Sequence, residues 1–241
     1  MKKKVVYLTG TRADFGKQKS LIRVTDGSEL FDTFICVTGM HLNEKYGYTV
    51  KEIYKSNFTT GNIIEFINHS DFDSMDLILA KTIEGFSSCI KKIKPDLIVV
   101  HGDRVEALAG AIVGSLNNVL VAHIEGGELS GTVDDLIRHA VSKMSHLHFV
   151  SNKEAHDRLL QLGENKESVF IIGSPDIDVM ESDELPSIQE VKSHYVINFD
   201  AYAVLLFHPV TTEYDHIKSQ VQNLVDAIIE SNDNFVIVCL M

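Results

Sequence analysis

Short apolar runs recur along the chain, each closed by a turn signal. They lie at residues 5–8, 34–37, 97–100, 119–122, 147–150, 169–172, 204–207 and 235–240. Unbroken runs of β-branched and aliphatic residues suit strands covered on both faces. Longer stretches with helical spacing separate them, at 75–93, 104–116, 133–144 and 153–162. Strand alternating with helix predicts an α/β fold with parallel, doubly wound sheets. The rhythm breaks at Gly173-Ser174-Pro175 and a charged stretch follows; a second αβ pattern starts at Tyr202. The expected organisation is therefore a first domain at 1–172, a linker at 173–200 and the start of a second domain at 201–241. Two strands and one helix cannot cover both faces of a parallel sheet. The expectation is that the second domain is incomplete and that the protein is truncated at its C-terminus.

Composition narrows the functional classes. The protein has 241 residues, 44% of them hydrophobic, enough for a sizeable core. A formal net charge of −12 argues against a nucleic acid or an anionic membrane surface as partner. Any phosphorylated ligand must be met by locally gathered cations. Cys36, Cys89 and Cys239 are scattered, with no C-x-x-C spacing, and read as thiols in a reducing compartment. The apolar run after Lys2-Lys3-Lys4 is short and broken by Thr9, Arg12 and Asp14, so no secretion signal is read. No stretch is apolar enough to span a membrane. The expected location is the cytoplasm.

In open α/β sheets, ligands bind beyond the carboxyl ends of the strands. Those positions here are unusually polar. They read Gly10-Thr11-Arg12-Ala13-Asp14, Thr38-Gly39-Met40-His41, His101-Gly102-Asp103-Arg104, His123-Ile124-Glu125-Gly126-Gly127-Glu128 and His208-Pro209-Val210-Thr211-Thr212. Each has a plain structural alternative. His101 and His123 could close strands as buried histidines. Asp103 could serve only as an N-cap. Asp134 and Asp135 could complement the dipole of the helix they open. Arg138, one turn after Asp134, could form an intrahelical pair. Gly126 and Gly127 could be a tight turn, or could let backbone N–H groups approach a diphosphate. The convergence of these strand ends on one sheet edge favours a site.

These residues resemble the UDP-N-acetylglucosamine 2-epimerase family. The resembling blocks are Gly10 to Lys17, Val37 to Leu42, Tyr46 to Thr49, His101 to Arg104, His123 to His139 and Phe207 to Thr212. The form Gly126-Gly127-Glu128-Leu129-Ser130-Gly131-Thr132 is similar to the hydrolysing branch found in sialic-acid pathways. The resemblance implies two Rossmann-like domains of the GT-B type with a nucleotide sugar in the cleft. It implies conversion of UDP-N-acetylglucosamine and water to N-acetylmannosamine and UDP. UDP leaves first to give a glycal; water then adds at C1 while C2 is protonated on the other face. No metal and no cofactor is needed. By family position, Asp103, Glu125 and Asp134 supply acid–base carboxylates and His208 lies near the leaving diphosphate. Arg12, Lys17 and Arg104 surround the nucleotide, and Arg138 orients Asp134 or Glu125. Arg12 is expected as a diphosphate clamp, with Asp14 holding its loop. Three carboxylates near an anionic ligand repel, so at least one is expected to hold a proton at neutral pH. The family also implies a homodimer for a full-length protein. For the 241 residues alone, weak UDP binding and little or no activity are expected.

Three other readings stay open on sequence. One is a glycosyltransferase of the same architecture. Another is a metal-dependent hydrolase built on His101, Asp103, His123, Glu125 and His208. The third is a non-catalytic remnant or regulator. The sequence does not separate UDP-N-acetylglucosamine from related 6-deoxy diacetamido sugars.

Overall fold

The computed structural model describes residues 1–59, 61–70, 73–182, 185–207 and 216–231, together with the backbone of 236–240. The protein divides into two compact units, 1–183 and 184–241.

The first unit alternates strand and helix. In sequence order it runs β1 (Lys3–Thr9), α1 (Arg12–Asp26), β2 (Phe31–Val37), α2 (Val50–Lys55), β3 (Ile63–Glu65), α3 (Met75–Ile93), β4 (Leu97–His101), α4 (Val105–Leu116), β5 (Leu120–Ile124), α5 (Val133–Lys143), β6 (Leu147–Val150), α6 (Lys153–Gln161), β7 (Val169–Ile171) and α7 (Pro175–Met180). The strands form one sheet in the order β3-β2-β1-β4-β5-β6-β7. Every pair is parallel; Val5 stands opposite Thr33 on one side and Leu97 on the other. The strand order reverses direction between β1 and β4, which is where such sheets open a ligand crevice.

The unbroken apolar run in β1 follows from its central place. Successive side chains point to opposite faces. Val6 and Leu8 pack with Phe86 and Ile90 of α3 and Ala107 and Ala111 of α4. Val5 and Tyr7 pack on the other face with Phe15 and Ile22 of α1 and Val50 and Ile53 of α2. Each such side chain contributes roughly 1.5–3 kcal/mol by leaving water. A strand with one face in water would need only every second residue apolar.

Several elements of the first unit lie outside the predicted pattern. Helix α1 buries only Phe15, Ile22 and two polar residues, Asp14 and Gln18, so its apolar stripe is too sparse to read. Strand β3 is three residues long and carries no period. Helix α7 sits within the stretch expected as linker, yet belongs to the first unit.

In the second unit, α8 (Ile188–His194) starts with a capping box in which Ser187 and Glu190 bond each other's backbone N–H. Strand β8 (Tyr202–Leu206) pairs in parallel with β9 (Val236–Leu240), and α9 (Ile217–Glu230) lies between them in sequence. The expected two strands and long helix are present. His208 lies outside the described residues. No helix among the described residues is long and apolar enough to cross a membrane.

Candidate functional site

At the end of β1, one carboxylate organises the turn. Asp14 accepts hydrogen bonds from the Gly10 N–H at 3.0 Å, the Thr11 N–H at 3.0 Å and the Thr9 hydroxyl at 2.6 Å. Thr11 caps α1 and accepts from the Asp14 N–H, which completes a capping box. Behind this turn lies His41, whose pKa is lowered by burial and therefore favours the neutral ring. Its partners settle the tautomer. The Thr9 hydroxyl proton already goes to Asp14, so His41 Nε2–H donates to Thr9 at 3.0 Å and Nδ1 accepts from Thr49 at 2.8 Å. With the turn held from inside, Arg12 projects outward. Its side chain is 73% exposed and, among the described residues, its ion pair is with Glu52, at 3.7 Å. Asp14 thus holds the loop as expected, and Arg12 is free to meet a ligand.

Immediately after β5, Glu125 adopts a left-handed backbone conformation, φ +60°. A non-glycine residue held there costs about 1–3 kcal/mol. The turn aims the carboxylate between two donors. Lys17 Nζ lies 2.7 and 2.9 Å from its two oxygens, and His101 Nε2 lies 3.0 Å away. Burial pushes the carboxyl up, but His101 and Lys17 outweigh burial and hold its pKa at about 2. Of the three expected acid–base carboxylates, Glu125 is therefore not the one that keeps a proton here. Lys17 also contacts Asp176 at 3.1 Å. Burial works against the Lys17 charge, yet Glu125 and then Asp176 keep its pKa above the usual lysine value.

Asp103 and Arg138 form a second centre. Arg138 is buried at the first turns of α5 and pairs with Asp103 and, at 3.4 Å, with Glu128. Ser151 donates to the other Glu128 oxygen at 2.7 Å. The expectations for these residues need two corrections. Asp103 does not cap α4; the N-cap position is Arg104, with no side-chain cap bond. Nor does Arg138 pair with Asp134 or Glu125. A buried guanidinium needs paired carboxylates within reach, here Asp103 and Glu128, whereas Asp134 accepts from Thr132 at 2.8 Å on the exposed rim. Asp135 does hold the helix start: it accepts from the N–H groups of Ser130 and Gly131 at 2.6 and 2.7 Å.

Gly126 and Gly127 are accounted for by packing. A Cβ on Gly126 would come within 2.8 Å of His123 Nδ1 and Ser142 Oγ. Gly127 has φ +78°, and a Cβ there would lie 2.4 Å from the Ala155 carbonyl oxygen. Both are buried. His123, fully buried, donates from Nε2 to the Gly102 carbonyl at 2.8 Å and accepts at Nδ1 from Ser142 at 3.0 Å. It therefore closes the strand, with burial driving its pKa down to about 3. Arg104 pairs with the buried Glu106 at 3.3 Å. Both border a cavity of about 200 Å³ with Met40, Tyr46, Asn68 and His69. A second hollow, of about 280 Å³, is bordered by Thr11, Arg12, Met40, Tyr46 and Thr49. Among the described residues, no three His, Cys, Asp or Glu side chains converge as metal ligands would.

Sequence reasoning missed the partners rather than the positions. His101 was visible as a strand end but not as the donor to Glu125. Asp176 and Ser174 were read as linker, although Ser-Pro-Asp is a helix-start signal. Glu128 lies inside the family-like block, where the sequence alone assigns it no role.

Comparisons with known proteins bear on the family and the fold. A family model described as UDP-N-acetylglucosamine 2-epimerase matches residues 24–241. A UDP-N-acetylglucosamine 2-epimerase of Neisseria meningitidis serogroup B is 48% identical over 211 residues, covering 88% of this chain and 55% of the relative. A UDP-N,N'-diacetylbacillosamine 2-epimerase (hydrolyzing) of Legionella pneumophila is 38% identical over 242 residues, covering 100% of this chain and 64% of the relative. The 241 residues thus span little more than half to two thirds of the length of these relatives. The crystal structure of UDP-GlcNAc 2-epimerase from Neisseria meningitidis bound to UDP-GlcNAc superposes with a TM-score of 0.81 at 19% identity, covering 99% of this chain and 66% of that one. The match from residue 24 onward and a relative at 38% identity along the whole length lead to one conclusion: the chain belongs to the UDP-N-acetylglucosamine 2-epimerase family.

Proposed function

We propose that this protein supplies the acid–base half of a hydrolysing UDP-sugar 2-epimerase. The reaction is UDP-N-acetylglucosamine plus water giving N-acetylmannosamine plus UDP, within sialic-acid-type sugar biosynthesis. The observation that carries the reading is the pair of carboxylates beyond β4 and β5. Asp103 is oriented by buried Arg138, and Glu125 is oriented by Lys17 and His101.

The chemistry assigns work to each group. A carboxylate removes the C2 proton as the C1–O bond to the diphosphate breaks, leaving a glycal. Water then adds at C1 and a second acid returns a proton to the opposite face of C2. Asp103, Glu125 and Asp134 are the acid–base groups in this reading. Arg12 and Arg104 stabilise the departing diphosphate, together with His208. Arg138 acts through Asp103. Gly126 and Gly127 let the Glu125 turn pack against α5 and α6, so they shape the site without touching the ligand. The hydrolysing form is supported by the Gly-Gly-Glu-x-Ser-Gly-Thr block and by the name of the Legionella relative. That name also makes UDP-N,N'-diacetylbacillosamine a candidate substrate.

Product analysis tests the proposal. The purified protein is incubated with each UDP-sugar, and UDP and free sugar are quantified. Free 2-epimerised sugar in equal amount to UDP is expected, at a low rate. A nucleotide-linked epimer would point to the non-hydrolysing reaction. UDP release only with an added acceptor, with the sugar transferred to that acceptor, would point to a glycosyltransferase.

A further inference from the structure

Lys17 is a cation expected near the nucleotide, yet its ammonium is already engaged. It lies 2.7 and 2.9 Å from the two Glu125 oxygens and 3.1 Å from Asp176 Oδ2. An ammonium has three donors, and these contacts take them all. The Lys17 side chain is 25% exposed, that of Glu125 10% and that of Asp176 44%. Asp176 therefore forms the open side of the pair. It is held there by the start of α7, where Pro175 sets the first turn and Ser174 Oγ reaches Glu125 at 3.4 Å.

We propose that Asp176 is a positioning residue that keeps the Lys17 ammonium parked on Glu125 until a nucleoside diphosphate takes it. This rests on the function proposed above. A diphosphate carries more charge than one exposed carboxylate and draws Lys17 away from Asp176 first. The exchange has a second consequence. Glu125 without Lys17 keeps His101 and Ser174 but loses the ammonium charge, so its affinity for a proton rises. A carboxylate held well below the usual range is a poor base; ligand binding turns it into a better one. The base is thus armed only when the leaving group is in place.

The test uses the 241-residue protein and UDP as probe, with affinity read by titration calorimetry. Asp176→Asn removes the competing charge and keeps the shape. It is expected to bind UDP about three- to tenfold tighter than the wild type, the range of a half-exposed ion pair. Lys17→Met placed in the same variant should abolish the gain, and Asp176→Glu should restore wild-type affinity. In parallel, carbon-13 NMR follows the Glu125 carboxyl against pH. Its midpoint should rise when UDP is saturating. Equal or weaker binding by Asp176→Asn, with UDP still bound by the wild type, would overturn the inference and leave the proposed function standing. No UDP binding by any of these proteins would overturn both.

Discussion

Glu125 shows how one residue can carry both strain and charge. Its left-handed backbone suits glycine, and a carboxylate occupies it because the turn delivers that carboxylate to Lys17 and His101. Both Glu125→Ala and Glu125→Gly lose the side chain, but only glycine relieves the backbone. Urea denaturation should find Glu125→Gly more stable than Glu125→Ala by about 1 kcal/mol; equal midpoints would show that the turn is unstrained. Asp14 is a cleaner structural residue. Replacing it with Ala removes the capping box and three hydrogen bonds to the β1 turn. A loss of about 1–2 kcal/mol is expected. Arg138 is the costliest. Arg138→Met leaves Asp103 and Glu128 without their buried partner; both carboxylates keep part of their hydration, so a loss of about 1–3 kcal/mol is expected in the same assay, with reduced turnover. At this scale the sequence revealed which residues gather at the strand ends but not which pair. Arg138 stands one turn after Asp134, so spacing alone suggests an intrahelical bond. Burial decides otherwise, and burial is a property of the packed sheet.

Strand β5 concentrates the pH sensitivity of the first unit. His123 is buried neutral, with a pKa of about 3 against 6.5 in the unfolded state. A lowered histidine favours folding above its unfolded value and loses that contribution as pH falls from about 6.5 towards 3. His41 and His148, also lowered by burial, act in the same direction. Glu125 continues the trend at lower pH. Its pKa of about 2 against 4.5 means that its contribution is present above 4.5 and lost as pH falls towards 2. Stability should therefore drop steadily below pH 6.5, by up to about 1.4 kcal/mol per pH unit for each fully engaged site. His123→Gln should flatten the upper part of that decline in urea midpoints measured from pH 7.5 to 5. Elements with unbroken apolar runs were legible from sequence, because β1, β4 and β5 are covered on both faces. Elements α1, α2, β3 and α7 were not. They are short, or use polar residues such as Asp14 and Gln18 on their buried side, and no hydrophobic period announces them.

For the molecule as a whole, the acidic balance and the site reinforce each other. With a net charge of −12, the cations at the β1 and β4 exits must each be placed deliberately. Lys17, Arg104 and Arg138 are paired with carboxylates of the same unit, and Arg12 projects outward. The sheet order with its switch point and the strand-end chemistry both single out the β1 and β4 exits, which is where the proposed function puts its nucleotide sugar. The most direct test is to incubate the protein at high concentration with UDP-N-acetylglucosamine in D2O and follow the proton NMR spectrum. The expected result is slow release of UDP matched by N-acetylmannosamine carrying deuterium at C2, and loss of both signals in Asp103→Asn. Released N-acetylglucosamine with its C2 proton intact, or labelled sugar formed equally well by Asp103→Asn, would contradict the assignment of these residues to a hydrolysing 2-epimerase.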